Sequence, residues 1–255
     1  MTVKVNRIEN EKRKIIASLN NFRVLEYLKD PSVTYENAEQ QYFMGQMGVR
    51  RRQLVIDLDK EHSAVLQAGA MQWMAGDVKA ATGIKGVGDL LGKMVRSSVT
   101  KETAVKPEYE GTGIVVLEPT YKFIVLQNPS EWGPEGMVIE DGMFLACDSR
   151  ICQSITARSN LSSAALGHEG LFNLTLKGNG TAALECNVPF DEMVEVELEN
   201  DVLKIDGDYA VCWSASLEFT VERSSKSIAG SLVNNEGLVN VYRGTGKILM
   251  STVER

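Results

Sequence analysis

Histidine is almost absent from the sequence, which has only His62 and His168 among its 255 residues. Protein sites for zinc and similar ions are commonly built from several imidazole or thiolate ligands. His168 is followed by Glu169, but neighbouring residues of a strand point to opposite faces and do not easily hold one ion. We therefore predict that no residue binds a metal and that the protein has no cofactor.

Cysteine is also scarce, and its spacing does not match a ligand set. The four cysteines (Cys147, Cys152, Cys186 and Cys212) contain no Cys-x-x-Cys pair and lie in apolar, strand-like runs. Such surroundings raise the pKa of a thiol, so we predict buried, reduced cysteines.

No serine lies in a Gly-x-Ser-x-Gly elbow, although the members of a Ser-His-Asp unit need only meet in space. We predict no catalytic residue.

Long apolar runs are absent as well. No window approaches the roughly 20 apolar residues of a membrane-spanning helix, and the first 20 residues lack the apolar core of a secretion signal. We therefore expect a cytoplasmic protein without a membrane span.

The net charge of -7 disfavours a nucleic-acid partner, because such binding depends mainly on Lys and Arg. The basic run of Arg50, Arg51 and Arg52 is interpreted as a solvated entry to a strand.

Glycine, by contrast, is abundant, with 22 residues, and it recurs at a regular spacing. Three of its Gly-x-Gly pairs begin at Gly111, Gly178 and Gly244, and the two intervals between them are almost equal. A second motif, Asp141–Ser149, is matched after nearly the same interval by Asp206–Ser214. Two motifs with nearly equal spacing predict tandem repeats of about 66 residues.

The segments between these glycines have the pattern of β-strands. Apolar and polar residues alternate in Phe172–Lys177, Val194–Glu199 and Leu217–Glu222, as expected of strands with one buried face. An apolar run follows each glycine pair, whereas a phosphate-binding glycine loop opens a helix. The glycines are therefore predicted to serve turns or close backbone contacts.

These patterns predict a mainly β fold of β-sandwich units in tandem pseudo-repeats. The repeats form one compact domain, residues 51–255, with approximate units 51–130, 131–195 and 196–255. Residues 1–50 are predicted to be an N-terminal appendage with a short helix at residues 35–46. A second helical turn is predicted at Gly88–Val95.

Large apolar side chains are concentrated before residue 75, where they exceed what a short helix and one half-buried strand usually hide. They are Tyr42, Phe43, Met44, Met47, Met71, Trp73 and Met74. Trp and Met are enriched at protein interfaces, so we predict a homo-oligomer whose contacts include part of this segment. The alternative is that these residues cover the first repeat within the same chain.

Four stretches occur in an order that resembles a known family. They are Gly69–Met74, Gly86–Leu91, Phe144–Ala146 and Gly167–Phe172, and together they resemble the altered-inheritance-of-mitochondria protein 24 family, also called the mitochondrial biogenesis family. The resemblance covers residues 50–254, and His168 stands where members often have glycine. It implies a mostly β fold of the double-stranded β-helix superfamily, similar to the tryptophan RNA-binding attenuation protein, and no established enzymatic activity.

Together these features predict a non-enzymatic binding or scaffold protein that associates with itself and presents loops to a protein partner. The alternative function is that of an enzyme or a small-molecule binder with a pocket between β repeats.

Overall fold

The computed structural model describes residues 3–81, 106–157, 172–223 and 238–253. Within these ranges the chain forms sixteen strands, one α-helix and three short 3-10 helices. The strands belong to two antiparallel sheets of nine and seven strands. The mainly β prediction is therefore confirmed, while the tandem repeat and the double-stranded β-helix stay predictions.

The first sheet combines strands from the N-terminal and middle parts of the chain. They are β1 (Arg13–Leu19), β2 (Phe22–Tyr27), β3 (Arg52–Leu58), β4 (Ala64–Leu66), β5 (Met71–Ala81), β6 (Glu108–Leu117), β7 (Phe123–Gln127), β9 (Phe144–Asp148) and β12 (Ala182–Cys186). Their order is β1-β2-β3-β6-β4-β9-β12-β7, and β5 pairs with β6.

The second sheet combines the remaining strands. They are β8 (Met137–Ile139), β10 (Cys152–Ala157), β11 (Phe172–Lys177), β13 (Val194–Ile205), β14 (Ala210–Ser214), β15 (Glu218–Arg223) and β16 (Leu238–Met250). Their order is β10-β11-β8-β14-β16-β13, and β15 pairs with β16.

The first sheet curves until it nearly closes on itself. Asn20, which follows β1, donates a hydrogen bond to the Thr181 hydroxyl at 3.0 Å, and that hydroxyl donates to the Leu19 carbonyl at 3.1 Å. Thr181 directly precedes β12, which lies near the other end of the sheet order. Phe22, Ile56 and other fully buried side chains fill the inside of this curve.

A second core lies between the two sheets. Ala182 and Leu184 from the first sheet pack there with Ile139 and Leu176 from the second sheet, and Trp132 of the 3-10 helix Pro129–Trp132 joins them. A third cluster, centred on Trp213 and Tyr242, is formed by residues of the second sheet and its connections. Burial of these apolar side chains, at roughly 25 cal/mol for each Å² removed from water, is the main stabilisation of the fold.

Residues 13–27 differ from the predicted N-terminal appendage. They form the β1–β2 hairpin, and β2 pairs with β3 from Phe22↔Ile56 to Glu26↔Arg52. Phe22 and Val24 are completely buried in the core of the first sheet. This hairpin is therefore part of the sheet, because the apolar face of β2 requires cover that an external appendage would not have.

The short helix predicted at residues 35–46 is present. A 3-10 turn at Tyr35–Asn37 leads into α1 (Ala38–Gln46), and neither Thr34 nor Asn37 caps its segment with a side-chain hydrogen bond. The second helical turn, predicted at Gly88–Val95, lies outside the described residues.

The glycine pairs occupy two kinds of position. Gly178 and Gly180 form the predicted turn between β11 and β12, whereas the other two pairs lie inside the long strands β6 and β16. The first glycine of each pair nevertheless has a similar positive φ, +120° at Gly111, +132° at Gly178 and +122° at Gly244. A side chain rarely adopts this conformation, so all three positions favour glycine.

Candidate interaction surface

Five large apolar side chains are exposed on α1, at Met47 directly after it, and at the start of β5. Tyr42, Phe43 and Met47 are 63%, 58% and 81% exposed, and no residue of α1 is buried. Trp73 and Met74 are 36% and 41% exposed. We call these five residues the apolar surface. They belong to the group that the sequence singles out for a subunit contact.

The two parts of the apolar surface are anchored by the same connection, residues 118–122 between β6 and β7. The Tyr121 hydroxyl donates to Gln41 of α1 at 2.9 Å. The Glu118 amide donates to the Ala70 carbonyl at 2.7 Å, and Gln72 of β5 donates to the Glu118 carboxylate at 3.3 Å. These contacts place α1 and the start of β5 at the same end of the first sheet.

A buried glutamine fixes the start of β5 more firmly. Gln53 of β3 is only 4% exposed, and its amide donates to Gln72 at 2.8 Å and to the Leu117 carbonyl at 2.9 Å. Its carbonyl accepts a hydrogen bond from the Tyr27 hydroxyl. Because every partner of Gln53 lies on a different strand or its end, the network holds the strand that carries Trp73 and Met74.

The intramolecular alternative for the apolar residues holds for only two of the seven. Met71 packs against the core of the first sheet, and Met44 is partly buried. The five residues of the apolar surface instead remain accessible within the chain. An exposed apolar cluster of this kind is typical of a surface that contacts another molecule.

The interpretation of Arg50–Arg52 as a solvated strand entry is wrong for Arg52. Its side chain is 4% exposed and pairs with Glu26 at 2.7 Å, and the same carboxylate binds Arg50 at 3.1 Å. The Arg52 guanidinium also lies 3.9 Å from the centre of the Phe123 ring, and burial lowers its pKa despite Glu26. Arg51 pairs with Asp30. These ion pairs therefore join the start of β3 and the residues before it to the end of β2 and the residues after it, so the arginines are not a free basic surface.

His62 belongs to a local turn between β3 and β4. Its Nδ1 atom lies 2.8 Å from an Asp59 oxygen that also accepts the amide hydrogens of Glu61 and His62. These hydrogen bonds, the Glu61 amide first, lower the pKa of Asp59. The neighbouring Ser63 hydroxyl is occupied by Glu108 at 2.7 Å and Ser149 at 2.5 Å. The polar groups of this turn are therefore bonded to one another and to neighbouring residues of the same chain.

The other candidate ligand pair, His168 and Glu169, lies outside the described residues. Across the ranges that the structure describes, no group of three or more His, Cys, Asp or Glu side chains is placed to hold a metal ion. In the same ranges, no helix has both the length and the apolar character needed to cross a membrane.

The four cysteines are free thiols, but they are not all buried as predicted. Cys147, Cys186 and Cys212 are buried, whereas Cys152 at the start of the edge strand β10 is exposed. Burial raises the pKa of the Cys147 thiol, with Asp148 as a second cause, and burial also raises that of Cys212. The prediction of raised thiol pKa values is confirmed for these two residues.

We expect one cysteine to react in the folded protein. With excess Ellman's reagent at pH 8, Cys152 should be modified first and the other three only after unfolding, because a buried, protonated thiol is a poor nucleophile. Absorbance gives the number of modified thiols, and Cys152→Ser is the control that should remove the fast phase. Two or more fast thiols in the native protein would contradict this assignment.

Comparison with known proteins connects these features to a family. The model of the family described as mitochondrial biogenesis AIM24 matches residues 46–253. An uncharacterized protein of Streptococcus pyogenes serotype M6 is 29% identical over 208 residues, which cover 78% of this chain and 81% of that protein. A crystal structure of a Streptococcus pyogenes protein has a TM-score of 0.58 and 26% identity, covering 81% of this chain and 89% of that one.

The family match begins at residue 46, so it includes β5 and its exposed Trp73 and Met74, while the β1–β2 hairpin and most of α1 precede it. The likeness to the tryptophan RNA-binding attenuation protein stays a prediction. The family model spans most of the sequence and includes all four stretches from Gly69–Met74 to Gly167–Phe172. The chain belongs to the mitochondrial biogenesis AIM24 family.

Proposed function

We propose that the protein is a non-enzymatic scaffold that associates with copies of itself through a contact that includes the apolar surface. The observation that carries this proposal is the exposure of Tyr42, Phe43 and Met47, and of Trp73 and Met74, on two segments that the same connection anchors at one end of the first sheet. Single exposed apolar residues are ordinary on protein surfaces, whereas grouped aromatic and Met side chains are enriched where proteins bind one another.

The rigidity of the supporting sheet favours a scaffold role. The hydrogen bonds of Gln53, Gln72 and Glu118 hold the start of β5, and Tyr121 holds α1. A prepositioned surface loses little conformational freedom on binding, so more of the contact energy appears as affinity.

The proposal includes a protein partner for the remaining loops, a cytoplasmic location and no nucleic-acid ligand. The net charge of -7 supports the last point. The ion pairs of Arg50, Arg51 and Arg52 support it too, because they occupy one of the basic runs of the sequence.

Sedimentation equilibrium at low micromolar concentration tests self-association. We expect a mass that is a multiple of 28.1 kDa. The variant Tyr42→Ser/Phe43→Ser/Met47→Ser should associate roughly 100-fold more weakly, since each lost apolar contact costs about 1 kcal/mol of binding. Its thermal midpoint should stay near that of the wild type, because all three side chains are exposed.

The matched control is Phe190→Ser/Val194→Ser/Val202→Ser. These residues are 56%, 48% and 43% exposed and lie on or beside the second sheet, away from the apolar surface. The control should associate like the wild type. A wild-type protein that stays monomeric at high concentration would refute the proposal, and an equal loss in both variants would refute the choice of surface.

A further inference from the structure

We propose that β5 pairs antiparallel with β5 of a second copy, with Val78 of both copies on a two-fold axis, so that the first sheet continues from one subunit into the other. This inference rests on the proposed self-association and specifies the strand and the register of one contact. Pairing about Val78 sets Asp77 opposite Lys79 of the partner subunit, and Lys79 opposite the partner's Asp77.

β5 is the least protected long edge strand in the described ranges. It pairs with β6 without a register shift from Trp73 to Ala81, and in the parts of the chain that the structure describes its other edge has no strand beside it. Asp77 and Lys79 are its only charged residues. An exposed, long strand with little charge is a template for pairing with another chain.

Two other edge strands, β13 and β1, carry a larger share of charged residues than β5, which protects them. The β13 edge presents four exposed acidic side chains, Glu195, Glu197, Glu199 and Asp201. β1 is shorter and begins with Arg13 and Lys14, and charged side chains on an edge strand disfavour its pairing with another chain. Two copies of β13 paired antiparallel about Leu198 would set Glu197 opposite the partner's Glu199, which is unfavourable across a sheet.

The charges of β5 are instead complementary to themselves. Asp77 and Lys79 are two residues apart, so they lie on one face of the strand. An antiparallel pair centred on Val78 therefore places a carboxylate and an ammonium group opposite each other twice. Both side chains are exposed, and neither forms a hydrogen bond or ion pair within the described residues.

The neighbouring positions allow two backbones to approach. The same register sets Gly76 opposite Ala80 and Ala75 opposite Ala81, so small residues flank the charged pairs on both sides. Val78 packs partly against the core of the first sheet, and its partner across the axis would extend that apolar layer. Trp73 and Met74 lie just before the paired segment, which makes the contact continuous with the apolar surface.

The edge strand β10 is the competing site, because its six residues carry no charge. It has no complementary charges that would select a register, whereas two copies of β5 would form two opposite-charge pairs. Pairing through β10 predicts that charge changes on β5 have no effect on association.

Charge reversal tests both the strand and the register. At low ionic strength, Asp77→Lys alone places two pairs of like positive charges across the axis, and Lys79→Asp alone places two pairs of like negative charges. Each variant should weaken self-association at least about tenfold. Mixing the two variants should restore association, because every facing pair in the mixed dimer has opposite charges.

The double variant Asp77→Lys/Lys79→Asp should likewise associate as the wild type does, since the two charges exchange places. Circular dichroism spectra check that each variant is folded, and association in the mixture checks it independently. Matched reversals at Glu197 and Lys204 on β13, both exposed, should leave association unchanged.

The outcomes separate this inference from the proposed function. A monomeric wild-type protein would refute self-association as a whole. An oligomeric wild type whose single variants associate normally would refute only the β5 pairing. Weakened single variants that the mixture or the double variant does not rescue would refute the register about Val78.

Discussion

Replacement of Glu26 by glutamine is expected to lower the free energy of unfolding by about 3–5 kcal/mol, because it leaves a buried guanidinium without its counter-charge. Glu26 binds Arg52 at 2.7 Å and Arg50 at 3.1 Å, and Arg52 is only 4% exposed. Urea denaturation followed by circular dichroism measures the change at neutral pH.

The control for this substitution is Asp57→Asn. Asp57 pairs with Arg23 at 2.7 Å, but both side chains are partly exposed, at 50% and 29%. An exposed pair contributes only about 0.2–1 kcal/mol, so the control should lose no more than that. Similar losses in the two variants would show that the pair at Arg52 is as well solvated as the one at the surface.

Replacement of Gly111 by alanine is expected to cost at least about 2 kcal/mol of stability. Gly111 has φ +120°, and a Cβ atom added there would overlap the Asp77 carbonyl oxygen of the paired strand β5. The substituted residue is therefore strained by its own backbone and by its neighbour, which is backbone and does not move aside easily. Thermal and urea unfolding both report the loss.

Gly45→Ala in α1 is the matched control. A Cβ atom at Gly45 meets nothing within 4 Å, and its φ is ordinary for an L-residue. Alanine is favoured over glycine in a helix by about 0.5–1 kcal/mol, so this variant should be as stable as the wild type or slightly more stable. A Gly111→Ala variant that behaves like this control would show that β5 and β6 readily separate at this point.

The fold class is predictable from local pattern alone. The period-two alternation in Phe172–Lys177 and Val194–Glu199 corresponds to β11 and the first half of β13. In β13, Val196 and Leu198 lie on the more buried face, as that pattern predicts, while Val194 at its start is exposed. The helix at residues 35–46 is also predictable, since it depends on neighbours in sequence. The strand alternation and the helix pattern both depend on residues that are close together in sequence.

The predictions that the structure corrects, those for Arg52 and for the N-terminal appendage, depend on contacts between residues far apart in sequence. Arg52 is buried because Glu26, which lies much earlier in the chain, supplies a carboxylate on the adjacent strand β2. The β1–β2 hairpin looks like an appendage because β1 is an edge strand, whose exposed side chains need not alternate. The hairpin pairs with β3, which is separated from β2 in sequence by the whole connection that contains α1. Local pattern therefore does not indicate that pairing.

The apolar surface was only partly predictable. Composition marks Tyr42, Phe43 and Trp73 as unusual, but exposure depends on which side of α1 or β5 meets the sheet. The pair Asp77 and Lys79 gives a weak signal in sequence, as two opposite charges two residues apart in an otherwise uncharged strand. The spacing indicates a pairing site only once the structure shows that the outer edge of β5 has no partner strand within the described residues.

The central position of β16 has a consequence for folding during synthesis. β16 pairs with β13, β14 and β15, yet it follows all of them in the chain. Every strand of the first sheet is complete once Cys186 has been made, whereas the second sheet lacks its joining strand until Leu238–Met250 has emerged. At translation rates of roughly 5–20 residues per second, the first sheet has several seconds to close before the second sheet can be completed.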